Sequence, residues 1–363
     1  MFKKLFIRNK FFVPLLTIPL ILSILGLLFI FEASSIRAAN EFGDSLHYLK
    51  VQSVWLGLAL GLAFFFSIFD YKNLYPLSFI SMTITILLLC VVLIPGIGFT
   101  SGGARRWIDF GLFNVQPTEI AKFSIIIYLA SWFVNKERRK FTSFIFLVSM
   151  LVFLIILQPD MGTAMIVFLL SMVMYYASGM SLLNLLALFP IALGGFYLLI
   201  KVSPYRLNRL LAYLNPATDP QGIGYHINQI LISLSNGGIF GAGFGASRQK
   251  YLFLPEAHTD SIFAIISEEY GFIGGIALLS LYFIFVYKIY HLIRLAPDKL
   301  SRFIACGIFA FFNLQIIINL AGMTGLFPLT GVPLPFLSYG GSNLLISFAL
   351  IGILLNIEKR VKV

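Results

Sequence analysis

The densest group of ionisable residues in the chain lies near residue 260. Glu256, His258 and Asp260 stand within five residues, where a polar segment meets an apolar run, and Glu268 and Glu269 follow inside that run. Carboxylates and imidazoles are side chains that commonly move protons in catalysis. Because the chain carries few charges, this stretch is where chemistry would most economically lie. We predict a catalytic or ligand-binding role for Asp260.

The composition indicates whether water or lipid surrounds these residues. The chain is 59% hydrophobic and only 11% charged, whereas soluble domains carry about 25% charged residues. It is therefore predicted to be an integral membrane protein. The net charge of +11 lies in short clusters between apolar runs, as topology determinants do, so we predict no nucleic-acid partner. Cys90 and Cys306 lie inside apolar runs and are expected to be small buried hydrophobes rather than a disulfide or metal site.

Ten apolar stretches predict an all-α polytopic protein with ten transmembrane helices, since a span needs roughly 20 apolar residues. The predicted spans are about 11–32, 48–69, 76–95, 118–134, 141–157, 161–178, 182–201, 261–290, 302–323 and 341–357. Lysines and arginines in the short connections favour both termini in the cytoplasm. One long extracytoplasmic loop, about 202–260, separates the seventh and eighth spans, and its composition favours packed short helices over disorder.

Arginines on the predicted outer side are exceptions to the positive-inside rule and suit an anionic ligand. Arg105 and Arg106 could be a solvated loop or a pyrophosphate clamp, because a guanidinium binds phosphate oxygens bidentately. Further along, Glu119 lies in the first turn of a predicted helix, and Lys122 is three residues on, on the same face. That pair could be a buried structural ion pair or the lining of a polar cavity.

Two other polar groups complete the outer side. Asp160 follows a tight turn and could cap the next helix or bind a ligand. Arg248 and Lys250 lie on the long loop together with the Asp260 segment. Residues 325–342 are rich in proline and glycine, which predicts a rigid, non-helical wall of a groove, because irregular backbone at membrane depth needs protein or water around it.

Five motifs, in this order along the chain, resemble the SEDS (shape, elongation, division and sporulation) family over essentially its whole length. They are Gly103-Ala104-Arg105-Arg106-Trp107-Ile108, Gln116-Pro117-Thr118-Glu119-Ile120-Ala121-Lys122, Gln158-Pro159-Asp160-Met161-Gly162-Thr163, Pro255-Glu256-Ala257-His258-Thr259-Asp260 and Pro335-Phe336-Leu337-Ser338-Tyr339-Gly340-Gly341-Ser342. The first and fourth look closer to the FtsW branch than to the RodA branch. Thr118 and Ser261 depart from the commonest residues of the family, and neither removes a charged motif position.

The resemblance implies a single SEDS membrane domain, 1–363, in the bacterial cytoplasmic membrane. It implies a peptidoglycan glycosyltransferase that polymerises lipid II with a class B penicillin-binding protein and other division or elongation proteins. Asp260 occupies the position of the essential aspartate of the family. The implied substrate-binding residues are Arg105, Arg106, Trp107, Gln116, Glu119, Lys122, Asp160, Arg248, Lys250, Glu256, His258, Ser338, Gly340 and Ser342.

The predicted mechanism uses Asp260 as a general base for the acceptor 4-hydroxyl. The departing pyrophosphate would be held by Arg105, Arg106, Arg248 or Lys250, with Mg²⁺ or Mn²⁺ as an optional aid and no organic cofactor. Thr259 is predicted to cap the eighth span, with Asp260 in its first turn. A helix N-terminus would weaken Asp260 as a base, so Asp260 could instead be a metal ligand. The sequence also leaves open a lipid II flippase and a non-catalytic divisome scaffold. Glu268 and Glu269 are expected to pair with a buried cation such as Lys122.

Overall fold

A computed structural model describes residues 12–101, 104–109, 111, 114–135, 140–202, 204–215, 222–251 and 253–361. Some of the lysines and arginines that indicate the predicted orientation lie outside these ranges, as does the motif residue Gly103. They are Lys3, Lys4, Arg8, Lys10, Lys136, Arg138, Arg139 and Lys362. Within the described ranges a helix occupies each of the ten predicted positions. The helices in chain order are α1 (Phe12–Phe42), α2 (His47–Ile68), α3 (Leu74–Val91), α4 (Pro117–Val134), α5 (Phe141–Ile156), α6 (Met161–Ala177), α7 (Leu182–Val202), α8 (Pro204–Leu214), α9 (Ile223–Gly237), α10 (Ile262–Leu295), α11 (Lys299–Met323) and α12 (Gly341–Glu358).

Seven of the described helices are long and apolar enough to cross a membrane: α1, α2, α3, α4, α10, α11 and α12. Helices α5 and α6 are apolar but shorter. The chain is therefore a multi-pass helical membrane protein. Helices α8 and α9 are the short helices expected in the long loop between α7 and α10.

Helices α4, α11 and α12 form the centre of the bundle. The apolar 18-residue stretches of these three helices are 72%, 67% and 83% buried. The corresponding stretch of α2 is 22% buried, so α2 presents most of its surface outward. Helix α12 packs closely on α2, because Gly352 has no side chain: a Cβ there would lie 2.4 Å from the carbonyl oxygen of Ala63. Small residues allow such close approach of helices in membranes.

A small antiparallel sheet connects α3 to α4. Its strands are β1 (Gly98–Ser101), β2 (Ala104–Asp109) and β3 (Asn114–Val115), in the order β1-β2-β3. The sequence predicted a loop here, whereas the structure forms three strands. The sheet holds Arg105 and Arg106 at the end of the bundle where α4 begins. Proline at the first position of α4 suits its start, because the missing N–H has no partner to lose there.

The cysteine prediction is half correct. Both cysteines are free, as expected. Cys306 is half-buried, but Cys90 lies on the exposed face of α3. That face is apolar, and a lipid-facing surface accommodates a small hydrophobe as a protein core does.

Helix α10 is broken at Gly271, where φ is 66° and ψ is −162°. The backbone of residues 238–243 docks into this break: the N–H of Ala242 donates to the carbonyl of Glu268 at 2.9 Å, and the N–H of Phe272 donates to Gly238 at 2.9 Å. The long loop therefore supplies the hydrogen bonds that the broken helix cannot make for itself. The first half of α10, directly after Asp260, is fixed to this loop.

We expect Gly271→Ala to destabilise the protein by about 1–3 kcal/mol. A side chain disfavours the left-handed backbone, and a Cβ at Gly271 would lie 2.3 Å from the nitrogen of Gly241. Thermal unfolding in detergent measures the loss. Gly57→Ala on α2 is the matched control, because a Cβ there meets nothing within 4 Å and alanine is the better helix former. Equal effects of the two substitutions would contradict the docking of the loop.

Candidate active site

The segment that carries Asp260 is a series of turns that ends at α10. The N–H groups of Thr259 and Ser261 both donate to the carbonyl of Glu256 at 3.2 Å, and Glu256 adopts a φ of 50°. Ser261 is the N-cap, and the helix begins at Ile262. The prediction that Thr259 caps the helix and Asp260 lies in its first turn is therefore wrong, since these turns postpone the helix start.

Asp260 is buried in a polar setting. Its carbonyl accepts a hydrogen bond from Asn319 Nδ2 at 2.9 Å, and the Thr259 hydroxyl lies 3.2 Å from Oδ1. A Cβ added at Gly331 would lie 3.8 Å from Oδ2. Burial, and after it the negative charge of Glu256, raise the pKa of Asp260 to about 6. This pKa favours a general base over a metal ligand, because a general base is most effective when its pKa lies near the working pH.

His258 and Glu256 flank Asp260 in opposite environments. The buried ring of His258 lies 4.5 Å from the ring of Tyr48 and 5.5 Å from that of Tyr339, centroid to centroid. Burial lowers the pKa of His258 to about 4, so the imidazole is neutral at pH 7. Glu256 is exposed, and its Oε2 lies 2.9 Å from the Thr259 hydroxyl. Of the two carboxylates, Asp260 is the desolvated one.

The two arginines of β2 bind backbone carbonyls. Arg105 Nη1 donates to Leu93 at 3.4 Å, and Arg106 donates to Gln158 at 3.1 Å and to Pro159. Carbonyl oxygens are neutral acceptors, so these bonds orient the guanidinium groups without neutralising their charge. Both side chains are partly exposed and can bind an anionic group.

Asp160 has the capping role that the sequence allowed. Its Oδ1 accepts from the N–H of Thr163 at 3.1 Å as the N-cap of α6. Its Oδ2 lies 3.4 Å from Gln116 Nε2, and the N–H of Gln116 donates to Ser342 Oγ at 3.2 Å. The structure thus brings Gln116, Asp160 and Ser342 together beside Arg106.

Residues 330–332 join this group to Asp260. A Cβ at Gly162 would lie 2.8 Å from the carbonyl oxygen of Thr330, so the first turn of α6 packs directly on this segment. Asn319 Nδ2 donates both to Val332, at 2.8 Å, and to the carbonyl of Asp260. The wall predicted for 325–342 is non-helical up to the start of α12, and its residues 330–332 contact both α6 and Asp260.

Asn319 and Arg209 were not identified as site residues from the sequence. Arg209 Nη1 donates to Leu329 at 3.2 Å. Its positive charge lowers the pKa of Asp260, against the larger opposing effect of burial. Two sequence features could have identified them: Asn319 is an asparagine inside an apolar helix, and Arg209 is an arginine on the predicted outer side.

The predicted pair of Glu119 and Lys122 is confirmed. Lys122 Nζ lies 2.6 Å from Glu119 Oε1, and both side chains are almost fully buried. Asn343 Nδ2 donates to the other oxygen of Glu119 at 3.1 Å, and the ring of Phe311 lies 5.4 Å from Nζ. This pair links α4 to α11 and α12 at the centre of the bundle.

The expectation that Glu268 and Glu269 pair with Lys122 is wrong. Glu269 Oε1 lies 3.4 Å from Lys250 Nζ, and Lys250 also donates to Gly245 at 2.6 Å. The loop that docks into the break of α10 brings Lys250 to Glu269, whereas Lys122 is already neutralised by Glu119. Lys250 is therefore tied to the loop rather than placed beside Arg106.

Glu268 also binds this loop. It accepts hydrogen bonds from the Ser247 hydroxyl and, at 3.4 Å, from the N–H of Arg248 and from Asn236 Nδ2. The side chain of Arg248 itself is exposed. The two glutamates hold the loop on the half-helix that follows Asp260, which is a positioning role.

The remaining predicted residues support the groove wall. Ser338 Oγ accepts from the N–H of Leu334 at 2.9 Å, and the N–H of Gly340 donates to Gln52 Oε1 at 3.2 Å. Trp107 is partly buried in β2, opposite Phe99 of β1. These three residues stabilise the backbone around the site.

Comparison with known proteins shows which family the chain belongs to. A family model for FtsW, RodA and SpoVE, described as "Cell cycle protein", matches residues 13–363. The chain is 39% identical to "Stage V sporulation protein E" of Bacillus subtilis, over 95% of this chain and 96% of that protein. It is 40% identical to "Probable peptidoglycan glycosyltransferase FtsW" of Trichlorobacter lovleyi, over 99% of this chain and 96% of that one.

Solved structures have the same fold. One comes from work on "Structural coordination of polymerization and crosslinking by a peptidoglycan synthase complex"; it has a TM-score of 0.78 and 28% identity, covering 95% of this chain and 96% of that one. Rod shape determining protein RodA of Thermus thermophilus has a TM-score of 0.71 and 26% identity, covering 97% and 98%. The chain belongs to the FtsW, RodA and SpoVE family of cell cycle proteins.

Proposed function

We propose that this protein is a peptidoglycan glycosyltransferase that polymerises lipid II into glycan strands. The observation that carries the proposal is Asp260, a buried carboxylate whose pKa is raised to about 6 by burial and then by Glu256. Arg105 and Arg106, which bind backbone carbonyls, supply the cationic groups. FtsW relatives named as probable peptidoglycan glycosyltransferases over nearly the whole chain support it. Glycosyl transfer needs a base and a cationic site for its leaving group, and this end of the bundle supplies both.

In the proposed reaction the ionised Asp260 removes the proton from the 4-hydroxyl of the acceptor sugar. The resulting oxygen attacks the anomeric carbon of the donor sugar, and the bond from that carbon to the pyrophosphate breaks. Arg105 and Arg106 bind the departing pyrophosphate, whose negative charge grows as the bond breaks. Fixed cationic groups at the place where charge develops are often the largest catalytic contribution.

A divalent cation fits this site only together with the substrate. Within the described ranges no group of three or more His, Cys, Asp or Glu side chains is arranged to hold a metal ion. Mg²⁺ is commonly bound by one or two carboxylates plus substrate phosphates, and Asp260 and Glu256 could provide those carboxylates. Such an ion would neutralise pyrophosphate charge.

The topology we propose has ten transmembrane helices, both termini in the cytoplasm, and the whole chain as one domain of the bacterial cytoplasmic membrane. Asp260 and the long loop then face the outside. The expected partner is a class B penicillin-binding protein, because a structurally similar chain comes from a complex that coordinates polymerisation with crosslinking. Other division or elongation proteins would join this pair.

A lipid II flippase is the alternative, favoured by the buried Glu119–Lys122 pair, since intramembrane charges also mark transport pathways. Proteoliposomes with fluorescent lipid II, prepared with and without the class B partner and EDTA, separate the two. We expect glycan strands that a muramidase degrades, and no increase in the rate at which lipid II changes leaflet. Accelerated movement of lipid II without glycan synthesis would overturn the proposal.

The pH dependence of polymerisation should report Asp260. We expect kcat/KM to rise with pH through about 6 and to level above about 7, because only the ionised carboxylate accepts a proton. Burial and then Glu256 raise the pKa of Asp260, so Glu256→Gln should move this midpoint to lower pH. The effect on stability has the opposite sign, since a raised carboxyl pKa stabilises the fold at low pH and loses that contribution as pH rises through about 6. An unchanged midpoint in Glu256→Gln would contradict the assignment.

A further inference from the structure

A cavity lies next to the Asp260 segment, and the mechanism above does not use it. It has a volume of about 420 Å³ and opens between the C-terminal end of α1 and residues 254–258. Its walls combine apolar and polar side chains: Ala33, Leu254, Pro255 and Ala257 with Arg37, Asn40, Glu41, Lys250 and His258. Pockets that bury small ligands have about this size and this mixture of surfaces.

The charges in this cavity compensate one another. Arg37 Nε lies 2.8 Å from Glu41 Oε1, and Lys250 lies 3.4 Å from Glu269. His258 is neutral at pH 7 because burial lowers its pKa to about 4. A pyrophosphate would have to displace these carboxylates and would be repelled by Glu41. The cavity therefore differs from the environment of Arg105 and Arg106, where the cations bind neutral carbonyls.

The polar groups match a ligand that both donates and accepts hydrogen bonds. Asn40 can do both through its amide, Glu41 accepts, and Arg37 donates. Sugar hydroxyls and acetamido groups have the same double capacity. A neutral saccharide is accordingly the class of ligand that this cavity fits best.

The cavity lies close to Asp260. His258 lines the cavity, and two residues of chain, at most about 7 Å, separate it from Asp260. Glu256 acts electrostatically on both His258 and Asp260, so the two sites share this segment. Arg106 binds the carbonyl of Gln158, just ahead of α6, and the first turn of α6 packs on residues 330–332.

We infer that this cavity binds the sugar of the acceptor lipid II, with Arg37, Asn40 and Glu41 as its hydrogen-bonding groups. The inference rests on the proposed function. It gives the two substrates separate places: the donor pyrophosphate at Arg105 and Arg106, and the acceptor sugar beside His258. The acceptor hydroxyl then reaches Asp260 from the cavity side.

The test uses a soluble disaccharide-pentapeptide, without pyrophosphate or lipid, as the probe. Its binding to the full-length Asp260→Asn protein is measured by saturation-transfer NMR. We expect saturable binding, weakened at least tenfold by adding Asn40→Ala and Glu41→Gln. Lys50→Ala is the matched control, because Lys50 forms an exposed pair with Asp44 and does not line the cavity. Thermal unfolding verifies that each variant is folded.

Absence of probe binding, or unchanged affinity in the Asn40→Ala, Glu41→Gln variant, would overturn the inference. In the active protein the same two substitutions should raise KM for lipid II at least tenfold and change kcat less than threefold. The outcome is separable from that of the proposed function. Polymerisation with no probe binding rejects the cavity alone, whereas probe binding without polymerisation rejects the glycosyltransferase and leaves a saccharide site.

Discussion

Asp260→Asn is expected to reduce kcat for lipid II polymerisation by about 10²–10⁴-fold, which is the usual contribution of a general base. Asparagine has nearly the same shape and can keep the Thr259 contact, but it cannot accept the proton of the acceptor hydroxyl. The backbone hydrogen bond from Asn319 does not involve the side chain and should persist. The measurement is the rate of glycan synthesis by purified protein in the presence of its partner.

Two further variants isolate the carboxylate at residue 260. Asp44→Asn removes an exposed carboxylate that binds Lys50 at the surface, and we expect no more than a twofold change in rate. Asp260→Glu keeps a carboxylate but displaces it by one methylene, and displacement of about 1 Å can cost about 10²-fold. Equal losses in Asp44→Asn and Asp260→Asn would contradict a specific role for Asp260.

Lys122→Met is expected to destabilise the protein by about 3–5 kcal/mol, because it leaves the buried Glu119 charge without its partner. The two groups lie 2.6 Å apart and are almost completely inaccessible. Replacing both residues, as Glu119→Gln with Lys122→Met, should be less damaging than Lys122→Met alone, since no unpaired charge remains. Thermal or denaturant unfolding in detergent measures the stability of the wild-type protein, of Lys122→Met and of the double variant.

A surface ion pair provides the control for this experiment. Lys50→Ala breaks a pair with Asp44 that has a similar length, 2.7 Å, but is exposed. Water and salt screen such pairs, so little change in unfolding is expected. If the double variant were less stable than Lys122→Met, the pair would not be the source of the loss. Polymerisation by a folded double variant would also show that this pair is structural rather than catalytic.

Local sequence patterns predicted the features that depend on neighbouring residues. The apolar runs placed helices at all ten predicted positions, since helix burial in a membrane follows from about 20 apolar residues in succession. The N-cap at Asp160 and the pair of Glu119 and Lys122 depend on spacings of three residues along one helix. Such contacts are fixed as soon as the helix forms.

Features that depend on distant segments were not predictable in this way. The break at Gly271 is stabilised by residues 238–243, and nothing in the sequence around Gly271 identifies that partner. The pairing of Lys250 with Glu269 follows from the same docking. Each is a consequence of tertiary contacts that compete with local preference.

The raised pKa of Asp260 has the same origin. Its position before a helix suggested a stabilised carboxylate, but burial is the largest influence, followed by the charge of Glu256. Burial is contributed by the segment around Gly331 and by Asn319, about 60 to 70 residues away in the chain. The sequence therefore indicated the residue, and the fold determines its basicity.

The most direct test of the central claim compares binding and turnover of lipid II in one preparation of Asp260→Asn. We predict that this variant binds fluorescent lipid II with wild-type affinity and makes glycan at least about 10²-fold more slowly, while the wild-type protein in parallel makes strands that a muramidase degrades. Glycan synthesis by Asp260→Asn at near wild-type rate would contradict the assignment of Asp260 as the base.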